Sequence, residues 1–494
     1  MGFGARGWFI LVLAATLAFR GWLAAVAPVT ADEAYFVLWG KSPALGYYDH
    51  PPMIGWLLAP LLALSDSAGF LRLPAVVLPA LLALAVRGAL RAWFGTDEER
   101  ASLAGLAVLL VPMNVWNVLV TTDTPLMLFS VAATLAFARG VQKDSSGCFV
   151  AAGIFLGLAF LSKYFAVLLG LSFLMWSFIE KKPKAFLLVF LGGLPAGLLN
   201  LYWNYEACWC NVMFNAINRH DDAGLSWMTP LLYAAALAYL AAPLLWVAWR
   251  ERASLGWRDP VRRALLLAWL VPLAVFAALS PVKRIGLHWL LSFLPALALT
   301  VALAADARKL RLAVRFLAGL AVLHVLAVIV AALLPMEVWK KTPFYARIVF
   351  PGRIEELLAG VAPDLKGRVL AADSYAAAAL FAYHARQPVP VFGPGTSHAR
   401  HDDIATDWRA LEGKDFVVLR REPPGPEDYR PFFRSVETKR IALGGGSYHA
   451  VLGNGFDYPA YRARVLTGIR DRYYRIPAAL PVGHCYFFER YFQK

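Results

Sequence analysis

Residues 8–26 have the sequence WFILVLAATLAFRGWLAAV, an almost unbroken apolar run near the start of the chain. A helix of roughly 20 apolar residues is long enough to cross the hydrocarbon core of a bilayer. This run is longer than the apolar part of a typical signal peptide and many similar runs follow it, so we interpret it as a retained membrane helix. Apolar segments lie near residues 8–28, 70–92, 102–120, 124–141, 148–161, 165–179, 184–201, 229–249, 262–280, 287–304 and 312–334. They predict a polytopic α-helical membrane protein with about eleven transmembrane helices.

The composition excludes an ordinary soluble protein. Hydrophobic residues make up 59 % of the 494 residues and charged residues 16 %, whereas a soluble domain carries about 25 % charged residues. The net charge of +15 does not indicate nucleic-acid binding, because lysine and arginine cluster in short loops between alternate spans. The four cysteines are Cys148, Cys208, Cys210 and Cys485. Their spacing predicts neither a metal site nor a disulfide framework.

The distribution of lysine and arginine predicts the orientation of the chain. Most of these residues fall in one set of loops, within residues 87–100, 139–143, 181–184, 250–263 and 308–315. The positive-inside rule places this set in the cytoplasm. The N-terminus is then cytoplasmic, and an odd number of spans carries the C-terminal part of the chain to the outer face.

The C-terminal part differs in character from the rest. After about residue 335 the sequence becomes mixed polar and aromatic, with strands predicted at residues 368–372, 389–392 and 415–419 and a helix at 374–385. The glycines at 444–446 precede no phosphate-loop helix and predict a turn. We therefore expect a transmembrane domain over residues 1–335 and a small α/β domain over residues 336–494.

The first outer loop is polar for so apolar a chain. Residues 31–35 (ADEAY) and 46–53 (GYYDHPPM) supply three carboxylates, one histidine and three tyrosines. Polar side chains this close to a bilayer usually face a bundle interior, a cavity or a ligand. Asp32 and Glu33 are the candidate catalytic residues.

Helix capping is the competing explanation for this acidic pair. Thr30 and Glu33 have the spacing of a capping box, and Asp32 would favour the positive end of the helix dipole. Capping explains Glu33 nearly as well as catalysis does.

Capping does not explain the second half of the loop. Pro51 and Pro52 fix an extended entry to the next helix, which holds the preceding polar residues in a defined place. The candidate substrate-binding residues of this loop are Tyr35, Tyr48, Asp49 and His50.

Two further outer turns carry isolated polar residues. Asp123 lies in residues 121–125 (TTDTP), where helix capping before an early proline is the simpler explanation. Lys163 and Tyr164 interrupt an apolar stretch, and a snorkelling lysine is the simpler explanation there. Asp123 and Tyr164 are also candidates for substrate binding, and Lys163 is a candidate for binding a donor phosphate.

Basic residues on the outer face contradict the orientation bias. Arg219 and His220 lie in a dense polar run over residues 218–222, and a second group comprises Lys283, Arg284 and His288. Positive charges placed where insertion disfavours them suggest an anionic ligand. We assign the second group to a donor phosphate and the first to substrate binding.

Together these residues suit transfer of a group from a phosphate-bearing lipid to an acceptor hydroxyl. A carboxylate can accept the hydroxyl proton as general base, and fixed cations can stabilise the charge on the departing phosphate. If the group is a sugar, direct displacement inverts its anomeric centre.

Four motifs also resemble a known family. Residues 32–35 (DEAY), 48–53 (YDHPPM), 122–125 (TDTP) and 161–164 (LSKY) are similar to the glycosyltransferase family 39 membrane enzymes. That group includes protein O-mannosyltransferases and bacterial lipid A aminoarabinose transferases. The resemblance covers about residues 1–330.

The resemblance implies a GT-C fold, a polyprenyl-phosphate-linked sugar donor and an active site facing the periplasm or lumen. It also implies that an acidic residue of the first outer loop is the base, and Asp32 matches that position. The tail is compatible with the soluble domain of some bacterial members and does not resemble the insertions of eukaryotic O-mannosyltransferases. We therefore expect a bacterial inner membrane protein with a periplasmic C-terminal domain and an envelope lipid or polysaccharide acceptor.

Two alternative functions stay open at this point. The protein could move a polyprenyl-phosphate lipid as a flippase or transporter without chemistry, or it could transfer the sugar to a protein. Carboxylates with few histidines suit magnesium or manganese, but no ligand spacing marks a metal site. No nucleic-acid partner is expected.

Overall fold

A computed structural model describes residues 4–218, 224–342, 345, 350, 352–396, 400–425, 427–444 and 446–492. The chain divides into two compact units. The helical unit comprises Met1–Ala27, Leu61–Leu199 and Ala223–Leu333, and the mixed unit comprises Pro28–Pro60, Asn200–Asp222 and Leu334–Lys494. The mixed unit thus combines the first polar loop and a later loop with the C-terminal part. The predicted division into domains at 335/336 stays a prediction.

Membrane-length helices dominate the described part of the chain. Eight helices are long and apolar enough to cross a bilayer: Ala5–Val26, Ala68–Ala92, Asp123–Lys143, Pro183–Glu206, Met228–Arg250, Pro260–Leu279, Leu287–Ala304 and Ala307–Leu333. The second contains a break at Arg72 and the seventh begins with 3₁₀ geometry. The polytopic α-helical fold is therefore confirmed.

Shorter helices account for the other apolar segments. They are Met53–Leu62, Glu98–Leu109, Pro112–Trp116, Ser146–Ser162 and Ala166–Ile179. The predicted segment 102–120 is broken because Pro112 starts a new turn and the preceding Val111 has a non-helical backbone, with ψ 129°. The two helices between residues 146 and 179 are short, as their apolar segments indicated.

Close backbone contact brings two helices of the helical unit together. Gly153 lies on helix Ser146–Ser162 and faces helix Pro183–Glu206. A Cβ atom added at Gly153 would lie 2.1 Å from the carbonyl oxygen of Val189. Only glycine permits this approach. Small residues at such contacts are typical of membrane helices, whose association depends on packing.

A buried arginine stabilises the same unit. Arg20 is 1 % exposed and donates to the carbonyl oxygens of Ala75 and Val76, at 2.5 Å and 3.1 Å, and to that of Asn114. Pro79 has no N–H to bond the carbonyl of Ala75. Arg20 therefore satisfies a backbone acceptor that a proline left free within a membrane helix.

The mixed unit contains one four-stranded sheet. Its strands are β1 (Val369–Ala372), β2 (Phe416–Arg420), β3 (Phe433–Leu443) and β4 (Gly446–Phe456), in the order β1-β2-β4-β3. β1 and β2 are parallel, and β4 is antiparallel to both of its neighbours. The strands predicted at 368–372 and 415–419 are confirmed, whereas 389–392 contributes only a bridge from Val391 to Ala372.

Helices of the mixed unit are short. The main ones are Ala31–Lys41, Cys210–Met213, Ile354–Val361, Tyr375–Ala385, Tyr458–Tyr461, Thr467–Tyr473 and Tyr486–Tyr491. The helix predicted at 374–385 is confirmed. Gly444 adopts φ +56° in the turn between β3 and β4, as the glycine run indicated, although Gly445 lies outside the described residues. Aromatic side chains that include Phe392, Trp408 and Phe416 form the core beneath the sheet.

A disulfide corrects the expectation drawn from the cysteines. Cys208 and Cys485 are bonded although 277 residues separate them. The prediction that the cysteines form no disulfide framework was wrong. Spacing along the chain carries no information about a pair of cysteines brought together by tertiary structure. Cys148 and Cys210 are free.

Candidate active site

The first outer loop begins with a capping box. The Glu33 Oε2 atom accepts from the Thr30 backbone N–H and hydroxyl, both at 3.1 Å, and the Glu33 N–H donates to the Thr30 hydroxyl at 3.3 Å. Glu33 is 3 % exposed. The geometry gives Glu33 a capping function, and its catalytic function stays a prediction.

Asp32 is different because its side chain is exposed at the start of the same helix. Its carboxylate hydrogen-bonds to the phenol of Tyr375, a residue of the C-terminal part. Burial raises the pKa of Tyr375 to about 12, and the negative charges of Asp32 and Asp49 add to this rise. Tyr375 therefore stays protonated, and Asp32 keeps an accessible carboxylate beside a neutral donor.

Asp49 is held by a second tyrosine. The Tyr35 hydroxyl donates to Asp49 Oδ1 at 3.1 Å and accepts the His401 backbone N–H at 3.2 Å. Burial raises the pKa of Tyr35 well above its usual value, and Asp49 contributes to the rise. The imidazole Nε2 of His50 lies 3.9 Å from Asp49 Oδ2. The structure therefore joins Tyr35, Asp49 and His50, and their assignment to substrate binding stays a prediction.

Aromatic rings form one wall of this cluster. The rings of Trp39 and Tyr47 stack with centroids 4.3 Å apart, and the His401 ring lies 5.3 Å from that of Tyr47. Burial lowers the pKa of His401 to about 4, so its imidazole is neutral near pH 7. Tyr48 lies in the core of the unit, fully buried against Phe214. Its assignment to substrate binding stays a prediction.

The loop after residue 200 supports the backbone of the polar loop. Asn211 Nδ2 donates to the Tyr47 carbonyl at 2.9 Å, and Asn215 Nδ2 donates to the Asp49 carbonyl at 3.4 Å. The Cys208–Cys485 disulfide fixes the beginning of this segment. The two predicted residues Arg219 and His220 lie outside the described residues.

A separate charged cluster lies in the helical unit. Lys163 Nζ donates to both carboxylate oxygens of Asp123, at 2.9 Å each. Asp123 and Lys163 are 7 % and 9 % exposed. Asp123 is the first residue of its helix, and Thr122 occupies the N-cap position. The ion pair with Lys163, rather than a helix cap, is therefore the main described contact of the Asp123 side chain. Lys163 does not snorkel to the surface.

His288 extends this cluster. Its Nε2 atom lies 3.8 Å from Asp123 Oδ2, and its side chain is 43 % exposed. Lys283 and Arg284 lie in the turn that precedes the same helix, with the Arg284 side chain exposed. Tyr164 packs on Phe160, with ring centroids 5.0 Å apart. The structure thus brings two of the predicted residues, Lys163 and His288, to Asp123 and places Lys283 and Arg284 in the adjoining turn.

Metal binding receives no geometric support. Among the described residues, no group of three or more histidine, cysteine, aspartate or glutamate side chains is arranged to hold an ion. The predicted divalent cation stays a prediction, and no step below depends on it.

Sequence reasoning missed several residues of the mixed unit. Tyr375 and His401 lie in the C-terminal part, where no motif marked them, and Asn211 and Asn215 lie in a loop examined only for charge. Each reaches the polar loop through tertiary contacts. The four-residue spacing of the two asparagines on one helical face is the only sequence signal that could have indicated them.

Comparison with known proteins supports the resemblance. The family described as dolichyl-phosphate-mannose-protein mannosyltransferase matches residues 49–203. The resemblance to these membrane glycosyltransferases is confirmed. The matched stretch includes Asp49, Asp123 and Lys163, whereas Asp32 and Glu33 lie before it.

One curated relative shares a low level of sequence identity with part of this chain. Lipid A galacturonosyltransferase RgtD of Rhizobium johnstonii is 24 % identical over 269 residues, which cover 52 % of this chain and 56 % of RgtD. The chain therefore spans about half the length of this curated relative.

Solved structures show the fold. ArnT from Cupriavidus metallidurans bound to undecaprenyl phosphate superposes with a TM-score of 0.62 over 91 % of this chain and 98 % of ArnT, at 16 % identity. The apo form of ArnT gives the same score over 90 % of this chain and 98 % of ArnT, also at 16 % identity. The chain has the GT-C fold, as predicted.

Proposed function

We propose that this protein is a membrane glycosyltransferase that moves a sugar from a polyprenyl-phosphate-linked donor to an envelope lipid or polysaccharide. The observation that carries the proposal is the buried Asp123–Lys163 pair with His288 beside it. Buried charges in a membrane bundle are costly and usually mark a functional site. Two of these residues lie in the stretch that matches the mannosyltransferase family.

Relatives support the choice of substrates. RgtD is a lipid A galacturonosyltransferase, and ArnT was crystallised with undecaprenyl phosphate. The activity of RgtD and the ligand of ArnT favour a lipid-phosphate donor and a lipid acceptor for this chain. The family's description also names protein mannosylation, so a protein acceptor is the alternative that the acceptor assay has to test.

The roles predicted from the sequence are retained in this proposal. In the mixed unit, Asp32 is the general base, because its carboxylate is exposed whereas Glu33 is used in a cap. In the helical unit, Lys163 and His288 bind donor phosphate, aided by Lys283 and Arg284. Cations stabilise the charge that develops on the leaving phosphate, and single displacement inverts the anomeric carbon.

The proposed orientation places the mixed unit in the periplasm and the N-terminus in the cytoplasm of a bacterial inner membrane. Loop charges favour it. The Cys208–Cys485 disulfide supports it independently, because disulfides persist in oxidising compartments and are rare in the cytosol. A reporter enzyme that is active only in the periplasm, fused after Leu333, is expected to be active. Activity of the same reporter fused after Arg250 and not after Leu333 would reverse the orientation.

Turnover in vesicles tests the function. Purified protein with a radiolabelled polyprenyl-phosphate sugar is expected to release polyprenyl phosphate only when a lipid acceptor is present. Asp32→Asn is expected to lower kcat by about 10²–10⁴-fold, the usual contribution of a general base, without changing thermal stability. Lipid movement across the vesicle without turnover would instead establish a flippase.

Product stereochemistry tests the mechanism separately. An inverted anomeric centre is expected, and retention would contradict single displacement. Mass spectrometry of envelope lipids from cells with and without the protein then identifies the sugar and the acceptor.

A further inference from the structure

The mixed unit contains a cavity of about 580 Å³, whose lining includes Tyr35 and Tyr375. Its walls are helix Ala31–Lys41, helix Tyr375–Ala385 and the segments 386–391 and 401–406. Pockets for small molecules commonly measure about 300–1,000 Å³. The cavity is therefore large enough for a ligand.

Small side chains create this space. Ala378, Ala379 and Ala382 lie on one face of their helix and line the cavity, where their methyl groups leave the facing volume unfilled. Leu38, Val389, Val391 and Ile404 complete an apolar surface. Such a lining suits hydrocarbon better than a sugar, which would require hydrogen-bonding partners for its hydroxyl groups.

The polar groups of the lining are mostly neutral or already bonded. The hydroxyl of Tyr35 is committed to Asp49 and to the His401 backbone. The lowered pKa of His401 keeps its ring neutral near pH 7. Burial raises the pKa of Asp402 to about 7, and its carboxylate accepts the Thr406 hydroxyl at 2.6 Å. The interior therefore disfavours a buried anion.

Two cations line the cavity from exposed positions. Lys41 ends helix Ala31–Lys41, and Arg386 caps the C-terminus of helix Tyr375–Ala385. Both side chains are exposed. Basic residues at helix C-termini are ordinary, but these two belong to one apolar cavity. Arg386 also adopts φ +53°, which is unfavourable for a residue with a Cβ.

We propose that this cavity binds an acyl chain whose anionic head group is held by Lys41 and Arg386. The apolar lining accepts the chain, and the exposed cations accept a carboxylate or phosphate. The chain could belong to a separate single-chain amphiphile or to a lipid acceptor. The second source rests on the proposed glycosyl transfer, whereas the site itself does not.

Photo-crosslinking tests the site. Full-length protein in nanodiscs of zwitterionic phosphatidylcholine is illuminated with palmitic acid that carries a diazirine on its chain. Labelled peptides are identified by mass spectrometry. Label is expected in residues 375–391 or 401–406, and the uncharged methyl ester is expected to give at least fivefold less.

Two variants and one control sharpen the test. Ala382→Leu fills the cavity, and the pair Lys41→Ser with Arg386→Ser removes the cations. Each is expected to lower labelling at least fivefold, whereas Lys366→Ser with Arg430→Ser, which removes two exposed cations elsewhere in the unit, is expected to leave it unchanged. The cation variant changes only exposed residues, so it remains informative if Ala382→Leu fails to fold.

Equal labelling by palmitic acid and its methyl ester, or labelling unchanged in the cation variant, would overturn the proposal. A phosphoglycolipid acceptor added in excess identifies the source of the chain. Displacement of the label supports the site and assigns it to the acceptor, and retention of the label supports the site and assigns it to a separate amphiphile. Labelling requires no turnover, so failure of the glycosyltransferase assay leaves this result intact.

Discussion

Two acidic clusters among the described residues hold their carboxylates in different ways. In the helical unit, Asp123 is buried and accepts a hydrogen bond from the ammonium group of Lys163 on each of its carboxylate oxygens. In the mixed unit, Asp32 and Asp49 meet the phenols of Tyr375 and Tyr35, which stay uncharged. The first cluster is a buried ion pair, whereas the second leaves the Asp32 carboxylate exposed.

Because of this difference, substitutions in the two clusters should affect different properties of the protein: stability in the helical unit and turnover in the mixed unit. A buried ion pair is energetically coupled to folding, because removal of one partner leaves the other charge without compensation in a medium of low dielectric constant. An exposed carboxylate can lose its charge with little effect on folding. Substitutions in the helical unit should therefore change stability first, and Asp32→Asn should change turnover first.

The largest effect on stability is expected from Lys163→Met. It removes the ammonium partner of the buried Asp123 carboxylate, which should lower the free energy of unfolding by about 3–5 kcal/mol. Adding Asp123→Leu should recover much of the loss. Thermal unfolding in detergent measures the stability of both variants. Equal stability of the wild type and Lys163→Met would contradict a stabilising role for the ion pair.

The disulfide should have the next largest effect, and it acts on the mixed unit. Cys208→Ser with Cys485→Ser is expected to lower stability by about 2–4 kcal/mol. The loop that carries Asn211 and Asn215 should also exchange its amide hydrogens faster. Hydrogen exchange of the full chain measures this. Cys148→Ser, at a free cysteine, is the matched control, and equal exchange in all three proteins would contradict the expected role.

Opposing pH dependences are expected at two neighbouring residues. The pKa of His401 falls from 6.5 to about 4 on folding, so the unfolded state binds more protons between these values and stability rises with pH there. The pKa of Asp402 rises from 3.8 to about 7, so stability falls as pH rises through that window. Each slope is at most about 1.4 kcal/mol per pH unit.

Single variants separate these slopes. Asp402→Asn should leave the rise due to His401, and His401→Gln should leave the fall due to Asp402. Thermal unfolding at pH 4.5, 5.5 and 6.5 measures them. Parallel pH profiles for the two variants would contradict the assignment.

The smallest effect is expected from the cap of the first outer loop. Thr30→Ala removes the hydroxyl that bonds Glu33 and should cost about 1 kcal/mol of stability. Glu33→Gln retains a side chain that can complete the box, so it should keep most of the turnover that Asp32→Asn loses. Comparable loss of kcat in both acidic variants would show that Glu33 shares the catalytic function.

The membrane helices could be derived from the sequence because their signal is local. A run such as residues 8–26 fixes a helix by its length and apolar character, since only a helix satisfies its backbone within lipid. The capping box at Thr30 and the strands at 369–372 and 416–420 were predictable for the same reason. The spacing of residue types over a few positions determines the capping box and these strands.

The contacts around the acidic residues were not predictable in this way. Lys163 is 40 residues from Asp123, Tyr375 lies more than 300 residues after Asp32, and Cys485 is 277 residues from Cys208. The sequence by itself determined the membrane class, the polar loops and the identity of the acidic candidates. Only the tertiary structure decided which carboxylate is paired, capped or exposed, because burial and distance between remote residues set the energy of a charge.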